Sequence, residues 1–114
     1  MSIQLKKGTL ELCVLSLLSK RDMYGFELAG RISSEIKVAE GTIYPLLKRI
    51  KDGGYVTTYL RESNAGAPRK YYNITAFGCQ ALDSLLEQWR ELVDGVGRIV
   101  ADGENQRRNE NAEA

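Results

Sequence analysis

Apolar residues recur at spacings of three and four along the first part of the chain, which is the pattern of helices that bury one face. The first helix is expected from about Thr9 to Ser19. Its apolar positions are Leu10, Cys13, Val14, Leu17 and Leu18. The second helix follows the polar break KRDM, with Asp22 as its candidate N-cap. Its apolar positions are Leu28, Ala29, Ile32 and Ile36.

The stretch EGTIYPLLKRIKDGGY predicts a third helix whose two faces differ in character. The inward positions are Ile43, Leu46, Leu47 and Ile50. The outward positions are Tyr44, Pro45 and Lys48, with Arg49 at the flank. Proline is tolerated in the first turn, where its missing N–H would have no partner, so we expect the helix to begin near Gly41 to Ile43 with Thr42 as N-cap. Gly53 and Gly54 predict its end.

A β-hairpin and a long fourth helix are expected after the third helix. The runs YVTTYLRES and RKYYNIT are rich in β-branched and aromatic residues, and they flank the polar turn SNAGAP. Thr75 is the candidate cap of the fourth helix, which we expect over Ala76–Asp102 with Gly95 and Gly97 weakening its last part. Its apolar stripe comprises Leu82, Leu85, Leu86, Trp89, Leu92, Val93, Val96, Ile99 and Val100.

This order of elements predicts an α+β, mainly α fold, a winged helix-turn-helix made of three helices and a β-hairpin wing. The DNA-binding domain would span residues 1–75 and a dimerisation helix residues 76–102. Residues 103–114 have nothing apolar to bury and are expected to be a disordered tail. The stripe on the fourth helix extends past a three-helix core and needs a cover, for which the partner helix of a two-fold homodimer is the simplest choice. The dimer contacts would be Leu82, Leu85, Leu86, Trp89, Leu92, Val93 and Val96.

Composition narrows the classes of function. The chain has 114 residues, 43% of them hydrophobic and 27% charged, which is ordinary for one globular domain. No apolar run approaches the roughly 20 residues that span a bilayer, and a signal-peptide layout is missing, so we expect a cytoplasmic protein. There is no histidine, and Cys13 and Cys79 lie far apart. We therefore expect no metal, no cofactor, no disulfide and no enzymatic activity.

Charge is distributed unevenly and points to a polyanionic partner. Residues 1–75 carry a net charge of +5 and residues 76–114 one of −4. A helix with an apolar inner face and Tyr44, Lys48 and Arg49 outside suits the major groove of DNA. The hairpin carries Asn64, Arg69 and Lys70, which could reach the flanking backbone, and Lys6 and Lys7 ahead of the first helix could hold another phosphate.

The segments YGFEL, EGTIYPLLKRI, GGYV and GAPRKYYNIT, in this order, closely resemble the PadR family of bacterial transcriptional regulators. The resemblance runs from about Gly8 to Trp89, and the single helix that follows resembles the short branch of the family. It implies a homodimer, with the last helix packed on its partner, that binds a pseudo-palindromic operator in double-stranded DNA. It also implies repression of nearby genes and, in some members, release by a small aromatic effector.

The resemblance assigns roles to particular residues. The recognition helix would contribute Thr42, Tyr44, Pro45, Lys48 and Arg49. The wing would contribute Gly66, Pro68, Arg69 and Lys70. Trp89 would lie at the dimer interface and stack on flat ligands. The whole set of candidate DNA contacts is Lys6, Lys7, Tyr24, Thr42, Tyr44, Pro45, Lys48, Arg49, Asn64, Gly66, Arg69 and Lys70.

Simpler interpretations of the same residues stay open at this level. Lys48 and Arg49 could be a solvated helix face, and Arg69 with Lys70 could guard an edge strand against aggregation. Tyr24 with Gly25 could serve local packing at the start of the second helix, and Trp89 could be only an interface residue. A winged-helix module that binds a protein and does not read DNA is the alternative function. A third is a small-molecule binder or enzyme that uses the dimer interface, although no catalytic residues are visible in the sequence.

Overall fold

The computed structural model describes the backbone of residues 3–64 and 66–113, and the side chains of residues 8–39, 41–64 and 66–112. The chain forms two compact units, Met1–Asp83 and Ser84–Ala114. The elements in chain order are α1 (Ile3–Leu18), β1 (Met23–Tyr24), α2 (Gly25–Ser33), α3 (Glu40–Asp52), β2 (Val56–Ser63), β3 (Gly66–Ile74) and α4 (Ala76–Glu113).

A three-stranded antiparallel sheet completes the first unit, with strand order β1-β3-β2. The hairpin of β2 and β3 was expected, whereas β1 was not, because two residues are too short to leave a pattern. β1 pairs Met23 with Tyr72 and Tyr24 with Tyr71. The mainly helical winged helix-turn-helix architecture expected from the sequence is confirmed.

The core of the first unit is apolar and is built mainly from α1, α2 and α3, with single residues from β1, β2 and the start of α4. α1 packs against α2, α3 and β3, so it buries more of its circumference than a single stripe. Leu12 and Leu15, outside the expected stripe, are therefore buried, while Cys13 and Leu17 are only half-buried. The buried apolar residues are Leu10, Leu12, Val14, Leu15, Leu18, Met23, Leu28, Ala29, Ile32, Ile43, Leu46, Leu47, Ile50, Val56 and Leu82.

Two helix starts differ from expectation. α1 begins at Ile3, so the backbone of Lys6 and Lys7 is part of the helix and not ahead of it. The side chains of both lysines lie outside the described residues. α2 takes Tyr24 as its N-cap residue in place of Asp22, and among the described residues no side chain caps it. The Asp22 carboxylate accepts hydrogen bonds from the sheet instead, so it is not available to the helix.

The start of α3 is also earlier than the proline suggests. The N-cap residue is Ala39, not Thr42, and the Thr42 N–H donates to the Ala39 carbonyl at 3.0 Å. Pro45 therefore lies beyond the first turn, where it has no N–H to donate to the Gly41 carbonyl. The predicted end is confirmed: Gly53 is the C-cap residue, and Gly54 has φ +81°, a conformation that favours glycine.

α4 begins as the sequence predicts and ends later. The Thr75 hydroxyl oxygen accepts a hydrogen bond from the Gly78 N–H at 3.0 Å, which confirms the cap. The helix continues to Glu113, whereas residues 103–114 were expected to be disordered. A helix satisfies its own backbone hydrogen bonds without burying apolar surface, and no proline interrupts this segment. Within it, Gln106 donates to the Glu110 carboxylate at 3.3 Å.

Candidate nucleic-acid interface

The outer face of α3 carries the polar residues that the sequence predicts. Ile43, Leu46 and Leu47 are buried, and Tyr44 on the opposite side is 45% exposed. The other exposed residues of this face are Thr42, Pro45, Lys48 and Arg49. The helix therefore presents a hydroxyl, a phenol and two cations to solvent without cost to the core.

Lys48 forms an ion pair within α3. Its Nζ lies 3.5 Å from Asp52 Oδ2, one turn further along the helix, and the two side chains are 80% and 64% exposed. An exposed pair of this kind contributes about 0.3–0.5 kcal/mol. The interaction is weak enough for Lys48 to exchange Asp52 for a nucleic-acid partner.

An open cleft brings four of the candidate residues together. Tyr24 borders it from β1, Tyr44 from α3, and Arg69 and Lys70 from β3. Gly25, Phe26 and Tyr72 complete the lining. The remaining described candidates lie apart from the cleft: Thr42, Pro45, Lys48 and Arg49 along α3, and Asn64 and Gly66 at the hairpin tip, where Gly66 has φ +124°. The outer face of α3 and the wing thus meet at the cleft.

Gly25 sets the approach of α2 to α3 beneath this cleft. A Cβ at this position would lie 3.3 Å from Tyr44 Cε1 and 3.8 Å from Tyr72 Cε1. Burial raises the pKa of the Tyr72 phenol, and the nearby Tyr44 raises it further. Gly25 was considered with Tyr24 for local packing at the start of the second helix or a functional role, but not as a DNA contact. Its importance depends on a contact between helices that spacing along one helix cannot reveal.

Three tyrosines form a row across the sheet at directly paired positions. The Tyr24 and Tyr71 ring centroids are 5.5 Å apart, and those of Tyr59 and Tyr71 are 5.7 Å apart with the rings nearly parallel. Two guanidinium groups lie over this row. Arg69 Cζ is 4.5 Å from the Tyr24 centroid, and Arg61 Cζ is 5.3 Å from the Tyr71 centroid. Arg61 was not a candidate, although its alternation with Tyr59 could have indicated a shared face.

Asp22 ties this face of the sheet to the segment ahead of α2. The Tyr59 hydroxyl donates to Asp22 Oδ2 at 2.6 Å, and Asn73 Nδ2 donates to Oδ1 at 2.7 Å. Donation to Asp22, with some burial, raises the pKa of the Tyr59 phenol. Next to Asp22, Arg21 donates to Glu27 Oε2 at 2.7 Å, which lowers the pKa of the Glu27 carboxyl. These contacts fix the orientation of the wing relative to α2.

The exposed part of α4 is a continuous apolar stripe. Leu85 and Leu86 are half-buried, and Trp89 is 40% exposed. Further exposed positions are Leu92, Val93, Val96, Ile99 and Val100. Leu82, expected among the dimer contacts, is only 7% exposed and belongs to the core of the first unit. A partner would therefore contact the stripe from Leu85 onwards.

The described part of the chain contains neither a candidate membrane-spanning helix nor a candidate metal-binding cluster. None of its helices is both long enough and apolar enough to cross a bilayer. Nor do its cysteines and carboxylates form a group of three or more that could hold a metal ion.

The fold and the exposed basic face define a winged helix-turn-helix protein. The chain belongs to the transcriptional regulator PadR-like family, whose model matches residues 14–84. Proteins of this family are transcriptional regulators and not enzymes. The resemblance of the sequence segments to this family is confirmed.

Solved structures of relatives share the fold over most of the chain. A PadR-like transcriptional regulator from Bacillus cereus is 34% identical, with a TM-score of 0.76 over 85% of this chain and 96% of its own. A Streptococcus transcriptional regulator is 32% identical, with a TM-score of 0.78 over 86% and 98%. Bacillus subtilis PadR, solved in complex with operator DNA, is 26% identical, with a TM-score of 0.62 over 68% of this chain and 46% of PadR.

Proposed function

We propose that this regulator binds a pseudo-palindromic operator as a homodimer and represses transcription. The observation that carries the proposal is the cleft where Tyr44 of α3 meets Arg69 and Lys70 of the wing. Residues 1–75 would form the DNA-binding domain, and α4 would join the two copies. The operator complex of Bacillus subtilis PadR supports DNA as the partner. Such a regulator acts on DNA in the cytoplasm.

In this proposal α3 enters the major groove and the wing lies on the flanking backbone. Thr42, Tyr44 and Lys48 contact base edges, because their side chains are exposed on the outer face of α3. Lys48 leaves Asp52 on binding. Phosphate and sugar contacts are assigned to Lys6, Lys7, Tyr24, Pro45, Arg49, Asn64, Gly66, Arg69 and Lys70.

The dimer is proposed from the spacing of the α4 stripe. Leu85, Trp89 and Leu92 begin an alternation of four and three residues that continues through Val96 and Ile99. This is the repeat of a coiled-coil seam, which is buried when a second helix packs along it. A two-fold arrangement of identical chains covers both stripes at once and presents two α3 helices to two half-sites, about 34 Å apart.

We also propose Trp89 as the place where a flat aromatic effector stacks. It is the single tryptophan of the chain and is 40% exposed in one copy. Two Trp89 side chains facing each other across the seam would form the two walls of such a site. Quenching of tryptophan fluorescence by a planar aromatic compound, together with weaker DNA binding, is the expected result.

The test of DNA reading is a fluorescence-anisotropy titration against the DNA just upstream of the protein's own gene. Binding should be saturable, resist a scrambled competitor, and weaken as salt increases, because phosphate neutralisation releases counterions. Lys48→Ala should weaken specific binding by about 1–3 kcal/mol. Lys20→Ala, which removes the same charge from an exposed position after α1, is the matched control.

Two results would contradict the proposal. Equal operator affinity for Lys48→Ala and Lys20→Ala would show that α3 is not the reading helix. Failure of the wild type to bind even random DNA at low salt would favour the alternative, a module that binds a protein partner.

A further inference from the structure

Two arginines oppose each other directly across the wing. Arg61 on β2 and Arg69 on β3 are register partners, so their side chains leave the same face of the sheet. Like charges at directly opposed positions of an antiparallel pair destabilise the sheet. Among the described residues, neither arginine forms a salt bridge that would offset this repulsion. Of the nearby carboxylates, Glu27 pairs with Arg21 and attracts Arg69 only from beyond salt-bridge distance, and Asp22 binds Tyr59 and Asn73.

Both guanidinium groups are positioned by contact with rings of the tyrosine row. Arg69 lies over the Tyr24 ring and Arg61 over the Tyr71 ring, and the two rings are neighbours in the row. A guanidinium that contacts a ring with its flat face keeps N–H groups at its edge for another acceptor. Asp22 in turn fixes the row by binding Tyr59. Each arginine of the repulsive pair is therefore positioned over one of two neighbouring rings.

A guard against edge pairing does not account for this arrangement. β2 is an edge strand, so Arg61 alone could serve that purpose. β3 is the central strand, however, and Arg69 lies on the same face over the ring of a third strand. Protection of an edge strand requires charge on that strand and does not require a second guanidinium on the central strand. Paired donors that face one acceptor are, in contrast, what recognition of a phosphate requires.

We infer that Arg61 and Arg69 form a two-arginine clamp that binds one backbone phosphate of the DNA flanking the groove entered by α3. The inference rests on the proposed function and adds Arg61 to its contacts. The phosphate would accept hydrogen bonds from both guanidinium groups and neutralise their mutual repulsion. Because a phosphodiester is the same in every sequence, the clamp contributes to affinity and positioning and not to base readout.

The clamp predicts opposite effects on folding and on binding. Arg61→Gln keeps most of the side chain but removes one of two repelling charges, so the melting temperature of the free protein should stay the same or rise. Affinity for DNA should fall about tenfold at low salt, the size of one charged hydrogen bond. The slope of log affinity against log salt should decrease by about 0.9 for each subunit bound. Arg61→Lys should keep the slope and lose part of the affinity.

The experiment is an anisotropy titration at several salt concentrations with a duplex of random sequence, which needs no knowledge of the operator. Arg108→Gln, which removes the same charge from α4 in the other unit, is the control and should change neither slope nor stability. If the wild type binds and Arg61→Gln binds with an unchanged slope, the clamp is wrong while the proposed function stands. If the wild type binds no DNA at low salt, the proposed function itself fails.

A second measurement separates a DNA phosphate from a free anion. Sodium phosphate is added to wild type and Arg61→Gln, and the melting temperature of each is followed. Equal responses of the two proteins, together with the altered DNA slope, support the DNA clamp. A rise confined to the wild type, with an unchanged DNA slope for Arg61→Gln, would reassign the pair to a free anion and overturn the inference.

Discussion

Gly25 is the residue on which the position of Tyr44 most directly depends. An added methyl group would lie 3.3 Å from the Tyr44 ring, closer than most such contacts, so the ring must move by a few tenths of an ångström. Gly25→Ala should therefore weaken operator binding, because readout of base edges is sensitive to small displacements. Folding should change little, since Tyr44 is partly exposed and its ring can shift, and Gly25 is the first residue of α2, where helix propensity counts for less than the about 1 kcal/mol of a helix interior.

Gly30→Ala is the matched control for that substitution. Gly30 lies in the same helix, and a Cβ there meets nothing within 4 Å. Anisotropy titrations of the two variants against operator DNA, with urea unfolding alongside, should show an affinity loss for Gly25→Ala alone. Equal affinities would show that the Tyr44 ring does not depend on this contact.

Single residues also mark the limits of prediction from the sequence. The inward phase of α3 was predicted correctly, because Ile43, Leu46 and Leu47 lie on one stripe and the helix is long enough to show its period. The cap by Thr75 was predicted from its hydroxyl and confirmed. Asp22 was misassigned as a cap, because its actual donors, Tyr59 and Asn73, come from strands far along the chain.

At the scale of elements, local sequence patterns predicted the long helices and the two long strands. They missed the short strand that exists only because it pairs with a strand far along the chain. The hairpin and four helices each have a period or turn signal of their own. β1 has two residues and exists because β3 offers a free side for pairing. Tyr24 joins the row of tyrosines, and Arg69 lies over its ring, only because β1 pairs with β3, so this part of the row could not be derived before the strand order was known. The Arg61–Tyr71 contact lies within the hairpin itself.

Two glycines of α4 should respond to the same substitution in opposite ways. At Gly95 an added Cβ has only Arg98 Nη2 nearby, at 3.8 Å, and the position lies at the flank of the apolar stripe, beside Leu92 and Ile99. Gly95→Ala should therefore raise the free energy of unfolding by about 1 kcal/mol. At Gly78 an added Cβ would overlap the Tyr55 carbonyl oxygen, which belongs to the backbone and cannot move alone. Gly78→Ala should lower stability.

Thermal and urea unfolding of the two variants, followed by circular dichroism, compares them within one helix. A gain for Gly95→Ala and a loss for Gly78→Ala would show that α4 is a regular helix at Gly95 and packs closely at Gly78. A loss at both positions would mean that Gly95 contacts a neighbour in the assembled protein.

At the scale of the whole molecule, the structure of one chain gives only indirect evidence on whether and how two copies associate. The first unit has a buried apolar core of its own, whereas the second exposes Trp89, Leu92, Val93 and Val96 along one stripe. An apolar stripe of this length on an isolated helix is unfavourable in water. The sequence could predict the stripe, but it could not show that Leu82 belongs to the core and not to the interface.

If α4 joins two copies as proposed, Leu92→Glu should leave the protein monomeric. Leu92 lies in the middle of the stripe, where two copies would bring two carboxylates together in apolar surroundings and bury them without partners. Asn105→Glu adds the same charge to the side of the same helix that faces away from the stripe, so it is the control. The mass of each protein is measured by light scattering during size-exclusion chromatography.

The same two variants then connect assembly to DNA binding. A dimer binds a two-half-site fragment with both α3 helices, whereas a monomer binds it with one. Leu92→Glu should therefore lose most of its affinity for the upstream fragment, while Asn105→Glu should keep it. Weak, salt-sensitive binding of Leu92→Glu to a single half-site should persist, because its first unit is intact. If Leu92→Glu elutes with the mass of the wild type, the α4 stripe is not the seam between copies, and the spacing of the two half-sites must be set by another contact.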